Sequence, residues 1–443
     1  MKKQNIIIIG GGIIGMGAAW ELVRNPDYQV TIIEKQSALG GMSSGDSIGQ
    51  FHWDRYYHVL LSRDSETLQL ISELGLDDKL FWTTSKSGFF GNNLLVSLSG
   101  AFDFITFPFL SLFQKARLVF GILFTSLIKD GSKLEKQYVR TWMTKVFGRR
   151  VYERIWDPLL RSKLGKGKEE TSAVFIWATI KRLYGARSDS ADKQEKMGHV
   201  KGGYAQILQI WEEELIKKGV EIIKNKPVLS IDTNNNIVNT LNYKYNFDQI
   251  LITTPSPIAV DLLGKILPEG DYKNFLTGQK YLGVICLRLL LKKSLSPYYV
   301  INLLDETLPF TGIIESTNVI GCDQVGGNHL VYLPRYSVEE DEFYKLDEKK
   351  IEQEFIDALQ KVFPELLKGD IIASALSVER FVQPLYTLDY GNRIPSISLP
   401  AKDIYLANTS MIKNATLNNN AALRLAKEAV KEMVTEEVNS VYS

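Results

Sequence analysis

Three glycines and one acid carry the clearest chemistry in the chain. Gly10-x-Gly12-x-x-Gly15 follows the apolar run Ile6-Ile-Ile-Ile9. Glu34 closes a second apolar run, Val30-Thr-Ile-Ile33, and stands about 20 residues past the last glycine. Each residue type suits one task in holding a dinucleotide. Gly10 permits a tight turn, Gly12 lets backbone amides approach a pyrophosphate, and Gly15 lets helix and strand pack closely. The first amides of the following helix, around Ile14, turn unpaired donors and a positive dipole end toward phosphate. Glu34, with Lys35 beside it, is placed to accept from a ribose hydroxyl. The plain alternative is a glycine-rich turn in an ordinary βαβ unit. The strand before, the helix after and the acid in register favour the dinucleotide.

These residues need a strand–helix–strand unit to hold them, and the rest of the chain is long enough to build more. At 443 residues, with 45% hydrophobic and 23% charged residues, it allows two or three folding units. A formal charge of +1 gives no global case for nucleic acid. Cys286 and Cys322 are the two cysteines, so no disulfide framework is expected and a reducing, cytoplasmic compartment is the default. The chain enters its first strand almost at once, which is expected to leave no room for a signal peptide. Asn414-Ala415-Thr416 matches a glycosylation sequon that has no meaning without secretion. No run reaches the roughly 20 apolar residues of a spanning helix. Residues 104–128 are the richest stretch, broken by Pro108, Lys115 and Arg117. A pair of buried helices is the favoured expectation for it. The alternative is an apolar face that meets one membrane leaflet or a lipophilic substrate.

Residues 64–200 read as mainly helical, with Thr67–Gly75, Tyr138–Leu160 and Ala173–Tyr184 carrying helical spacing and Ser188–Met197 a polar, mobile loop. After Gly202-Gly203 comes an amphipathic helix, Ala205–Lys218. Short strands follow at Val220–Ile223, Val228–Ile231 and Ile237–Tyr245, then a buried one ending near Thr254. Residues 260–384 alternate strands (Leu282–Leu291, Gly312–Glu315, His329–Leu333) with a helix at Glu352–Val362. A strand at Ile404–Asn408 and a long helix from Asn418 close the chain. There is no internal repeat.

The second strand runs into Glu34-Lys35-x-x-x-Leu39-Gly40-Gly41-Met42-Ser43-Ser44-Gly45, a second glycine turn that adds amides along one long cofactor. This arrangement resembles the FAD-binding proteins of the amine oxidase, protoporphyrinogen oxidase and phytoene desaturase superfamily. Lys201-Gly202-Gly203-Tyr204 is similar to its mid-chain double glycine. Val228 matches the backbone that brackets the adenine, and Asn408 with Asn418-Asn419-Asn420-Ala421 matches the segment that approaches the flavin ring. The marks span nearly the whole chain in order. Three departures stand out: Ala407-Asn408 where relatives have Gly-Asp, Met42-Ser43 where they often have Arg, and Ala415-Thr416-Leu417 where many have Asp-Arg-Gly.

The resemblance implies an α/β architecture: a discontinuous Rossmann-like FAD domain (1–62, 200–260 and 385–443) with an inserted substrate domain, helical at 63–199 and mixed sheet at 261–384. It implies FAD, which carries the difficult chemistry itself, so no separate catalytic cluster is required. The cofactor set is then Gly10, Gly12, Ile14, Gly15, Glu34, Lys35, Gly40, Gly41, Met42, Ser43, Val228, Thr254, Asn408, Asn419, Asn420 and Ala421. The octet Phe51–His58 is expected near the isoalloxazine. There His58, with an ordinary pKa near neutrality, relays a proton or hydrogen-bonds the flavin, or is simply a packed histidine. Arg55 and Tyr57 meet a polar substrate, or Arg55 pairs with Asp54. Glu315 and Arg335 close two strands and are candidates for acid/base work and for an anion clamp; Arg380, Lys163 and Lys201 are weaker ones. No metal is expected, because the four histidines lack ligand spacing. Gly41-Met-Ser-Ser-Gly45 mimics a hydrolase elbow but stands after the wrong strand.

The function expected is dehydrogenation of an amine or a lipophilic, conjugated or lipid-linked small molecule, with dioxygen or a quinone as electron acceptor. The alternatives are a non-redox flavin enzyme of the sugar-nucleotide mutase type and an FAD-holding scaffold.

Overall fold

The computed structural model describes residues 3–98, 101–188, 196–264, 266–413 and 417–441. The seven residues 189–195 of the anticipated polar loop, and the sequon at 414–416, lie outside them.

Five parallel strands make the first sheet, in the order Ile404–Leu406, Gln249–Ile252, Gln4–Ile9, Tyr28–Ile33, Glu221–Ile223. Its central strands are continuous apolar runs because both faces are covered; Ile6–Ile9 and Ile250–Ile252 are all buried. The fingerprint helix (Ile13–Leu22) and the C-terminal helix (Asn419–Val441) pack against one another on this sheet. A methyl group at Gly17 would already press on Ala426 at 3.0 Å, so the two helices meet through small residues. The sheet thus gathers the beginning, middle and end of the chain.

The second sheet has seven strands, ordered Ile371–Pro384, Tyr281–Leu291, His329–Ser337, Gly312–Glu315, Val300–Leu303, Ser87–Gly91, Leu94–Ser97. The helix Glu348–Val362 covers one face, burying Ile351, Phe355 and Leu359. The other face carries the hairpin Gly45–Ile48/Phe51–Asp54 and looks toward the first sheet. Residues 80–97, inside the stretch expected to be mainly helical, instead form three strands. The tight turn there is Asn92-Asn93, both in the left-handed region (φ 50° and 57°), which joins strands with the right twist. Ile371–Pro384 was likewise not anticipated, because half of its residues are polar or small. Val228–Asp232 belongs to a separate three-stranded sheet.

A helical layer fills 101–188. One run continues from Arg149 to Leu164 with a π-turn at Tyr152–Trp156. Pro158 explains it: proline offers no N–H and its ring crowds the carbonyl four residues back, at Arg154, so the turn widens.

The helix Leu112–Leu127 is inverted relative to a core helix. Its inward face buries Gln114, Lys115, Leu118, Gly121 and Thr125. Its outward face exposes Leu112, Phe113, Val119, Phe120, Leu123, Phe124 and Leu127, with Phe113 80% exposed. The preceding helix adds Phe102 and Ile105. The expectation of two well-buried helices therefore fails on this face. Polar groups can turn inward because each finds a partner: Gln114 closes a capping box with Ser111, the Lys115 ammonium donates to the Ile105 carbonyl, and the Thr125 hydroxyl to Gly121. Among the described residues no helix is long and apolar enough to cross a membrane.

Candidate functional site

The two glycine turns lie back to back. Gly12 bridges Gly40, and the Gly40 amide donates to the Gly11 carbonyl at 2.7 Å. Glu34 is buried, accepting from the Gly11 amide at 2.7 Å and the Gln36 amide at 2.8 Å, so its side chain is fixed by the loop it follows. A Cβ at Gly12 would meet nothing within 4 Å, and one at Gly41 would meet only Gly12. This is open space beside a helix start that no side chain caps. Thr254 Oγ1, at the end of the neighbouring strand, and Asn419 Nδ2 are buried without a hydrogen-bond partner. Open space, an uncapped helix start and two orphaned polar side-chain atoms fit a dinucleotide.

Further along, three distant segments meet. The Ser43 hydroxyl donates to Asn419 Oδ1 at 3.0 Å and lies 3.5 Å from His58 Nε2. Of the three, His58 lines a cleft, together with Trp53, Asp54, Tyr57, Tyr204 and Ser316, and with His199 and Tyr332. Among the described residues no cluster of His, Cys, Asp and Glu could hold a metal.

His58 departs from expectation. Its Nδ1 lies 2.9 Å from the Tyr56 carbonyl, which assigns the ring proton to Nδ1 and leaves Nε2 as an acceptor. Burial pushes its pKa down to about 4, against the pull of that carbonyl. The ring is therefore neutral through neutral pH and not poised near 6.5. Because the folded pKa is depressed below the unfolded one, stability is expected to fall as pH drops from about 6.5 to 4, by at most about 3 kcal/mol. Urea unfolding of wild type and His58→Gln across that window checks this; equal slopes would contradict the assignment.

Tyr57 is held by polar contacts: its phenol lies 3.1 Å from that of Tyr336 and receives a hydrogen bond from Lys163 Nζ at 3.2 Å. Asp54 accepts the amides of Tyr204 (3.1 Å) and Ala205 (2.8 Å), capping the helix that Gly202-Gly203 opens. Burial raises its carboxyl to about 7, opposed by those amides and by Arg288. Arg288 is fully buried inside an apolar strand and donates to the carbonyls of Asp46, Trp53 and Asp54, pinning the hairpin that carries the octet. Arg55 does not pair with Asp54; it donates to the Gly41 carbonyl and lies 3.7 Å from Glu379.

Other expected site residues are placed elsewhere. Glu315 is buried and accepts the Leu295 and Ser296 amides, with Oε1 3.2 Å from His329 Nδ1; burial raises its pKa to about 7. Its strand neighbour Ser316 lines the cleft instead. Arg335 is spent on Asp341 (2.9 Å), on the Pro309 carbonyl and over the Phe343 ring. Its neighbour Tyr336 is the one that reaches Tyr57. Arg380 stacks over Tyr344. Asn420 Oδ1 accepts the amides of Glu66 and Thr67, starting the helix Ser65–Glu73. Asn418 takes the Ala421 amide. Asn408 is buried and used up between Thr254, Ser256 and Ser410, tying two strand ends together. Lys35 is exposed, while Met42 and Val228 are partly buried. The roles of Asp54, Arg288, Tyr336 and Ser316 were missed. Only Arg288 carried a signal, as an arginine amid Ile285–Leu291.

A family model described as flavin-containing amine oxidoreductase matches residues 15–409. Several solved structures share the fold. One is a protein from Exiguobacterium sp. 255-15 with a provisional protoporphyrinogen oxidase name (19% identity, 98% of this chain and 100% of that chain, TM-score 0.77). A reduced UDP-galactopyranose mutase shares it at 14% identity, 98% and 96% coverage and TM-score 0.73. So does a putrescine oxidase bound to putrescine, at 14% identity, 98% and 99% coverage and TM-score 0.74. At these identities the likeness is one of fold. Mitochondrial L-2-hydroxyglutarate dehydrogenase of Caenorhabditis elegans is 36% identical over 58 residues, and the match spans only 13% of its length.

Proposed function

The chain belongs to the flavin-containing amine oxidoreductase family and its cofactor is FAD, and from that premise we propose that it dehydrogenates a small molecule, either an amine or a lipophilic, conjugated one. FAD supplies the hydride acceptor, and dioxygen or a quinone restores it. The observation that carries the reading is the meeting of Ser43 and Asn419 with His58, a residue that lines the cleft. Gly10, Gly12, Gly15 and Glu34 hold the adenosine and pyrophosphate end. Ser43, Thr254 and Asn419 offer side chains toward the remainder. His58 accepts a hydrogen bond or proton at Nε2, and Tyr57 orients the substrate. Glu315, Arg335, Asn408 and Asn420 brace the surrounding elements from outside the cleft.

The same five-segment division of the chain (1–62, 63–199, 200–260, 261–384 and 385–443) is proposed for the FAD and substrate units. The inverted helix supports a cytoplasmic protein seated on a membrane surface, its outward aromatic face in the acyl region. Charge favours an anionic bilayer. Residues 101–150 hold nine Lys and Arg against Asp103, Asp130 and Glu135, in a chain whose formal net charge is only +1. Lys145 lies beside that face, its carbonyl held by Arg117 at 2.8 Å. No nucleic-acid partner is proposed.

A mutase-type use of reduced flavin is the second reading, favoured by the shared fold of UDP-galactopyranose mutase and by a cation at the Tyr57 phenol. A scaffold is the third. Anaerobic mixing with candidate substrates separates them: bleaching of the flavin followed by recolouring with an acceptor supports dehydrogenation. Turnover only after chemical reduction and without net electron flow favours the mutase; neither behaviour leaves the scaffold.

A further inference from the structure

One cluster beside the cleft narrows the substrate class, resting on the reading above. Lys163 ends the helical run that begins at Arg149, about 21 Å away along a helix axis. Its ammonium donates to Tyr57 at 3.2 Å, beyond the hydroxyl and 5.6 Å from the centre of that ring, and stands 5.3 Å from the centre of the Tyr336 ring. Tyr57 lines the cleft and Lys163 is exposed at its edge. Among the described residues no carboxylate pairs with Lys163. The neighbouring acids are engaged: Glu306 with Arg161, and Asp157 with Lys168 at 2.6 Å. Glu379 faces Arg55. The acid within the cleft, Asp54, is already capping a helix and backed by Arg288.

We propose that Lys163, Tyr57 and Tyr336 form a receiving site for the phosphate or carboxylate head of an apolar substrate, and that ammonium-bearing substrates are rejected there. The two phenols bond to one another and leave one O–H free, so with the Lys163 ammonium they offer an oxyanion a charge-assisted and a neutral hydrogen bond. A substrate ammonium would find the like charge of Lys163 and no free carboxylate to replace its water. Aromatic faces do attract cations, but the Lys163 ammonium already lies over the Tyr336 ring and at the Tyr57 hydroxyl.

The test uses FAD-loaded protein and two probes that differ only in head charge, decyl phosphate and decylamine, read by the flavin difference spectrum. Decyl phosphate is expected to perturb the spectrum and to bind at least about 10-fold more weakly to Lys163→Met, the scale of one charge-assisted contact. Lys163→Arg is expected to recover most of that loss, and decylamine to leave the flavin unchanged. Tyr336→Phe gives a second reading that removes a phenol without changing charge, and melting temperature establishes that each variant folds. Decylamine that bleaches or perturbs the flavin, or equal phosphate binding by wild type and a folded Lys163→Met, overturns the proposal. Wild-type protein that holds no flavin would instead overturn the cofactor reading.

Discussion

Purified Gly15→Ala protein is expected to emerge without yellow colour and to take up added FAD at least about 100-fold more weakly than wild type, the scale of a misplacement near 1 Å in an oriented site. The reason is local. A Cβ at Gly15 would stand 2.0 Å from the Gly10 carbonyl oxygen. Backbone cannot swing aside as a side chain can, so the fingerprint helix must back away from the strand Gln4–Ile9. Its first amides then leave the line that Gly12 and Gly41 keep open. Gly369→Ala is the control, since a Cβ there meets nothing within 4 Å. Flavin absorbance per protein and a titration with FAD read both variants. Gly15→Ala protein that binds FAD within a few-fold of wild type would sink the placement of the pyrophosphate.

The second large effect is expected at the inverted helix. Phe113→Glu/Phe120→Glu should lower partitioning onto vesicles containing phosphatidylglycerol by at least about 100-fold. Each phenylalanine is worth about 2 kcal/mol or more when moved out of water, and each new carboxylate is repelled by the anionic surface. Phe113 and Phe120 are 80% and 60% exposed, so flavin content and melting temperature should hardly change. Binding of wild type should also weaken with salt, because Lys145, Arg149 and Arg150 are exposed cations that ions screen. Vesicle co-sedimentation, with and without salt, measures both effects. If the variant binds as wild type does, or if wild type ignores vesicles and sediments as a dimer that the variant breaks, the face serves something other than a bilayer.

Much of the fold was legible where contacts are short in sequence. Gly10, Gly15 and Glu34 belong to one βαβ unit, and their types declare a turn, a close approach and an acceptor without any need of the rest. The long apolar strand Tyr281–Leu291 announced itself by hydrophobic content alone. The hairpin at 87–97 did not, because Asn92-Asn93 is a weaker turn signal than Asn-Gly. Site residues assigned by motif order fared unevenly for a related reason. Asn419 meets Ser43, yet Asn420, its neighbour on the same helix, points at the amides of Glu66 and Thr67. A run of three asparagines does not say which one turns inward. Strand alternation did the same to Arg335 and Tyr336, which face opposite sides of one strand, and the strand ends at Glu315, so that Ser316 turns into the next helix and to the cleft.

Sequence by itself determined that this chain holds a dinucleotide and that residues 104–128 form an apolar element, since residue type and period are properties of the chain. Only the tertiary structure decided which way that element faces. Periodicity groups Leu112, Phe113, Phe120 and Phe124 on one side, but the same grouping serves a core or a membrane. The choice was made by Gln114, Lys115 and Thr125 finding partners inward. In the same way Lys163 met Tyr57, 106 residues away, through the packing of a helix on a sheet, a contact that no local pattern encodes.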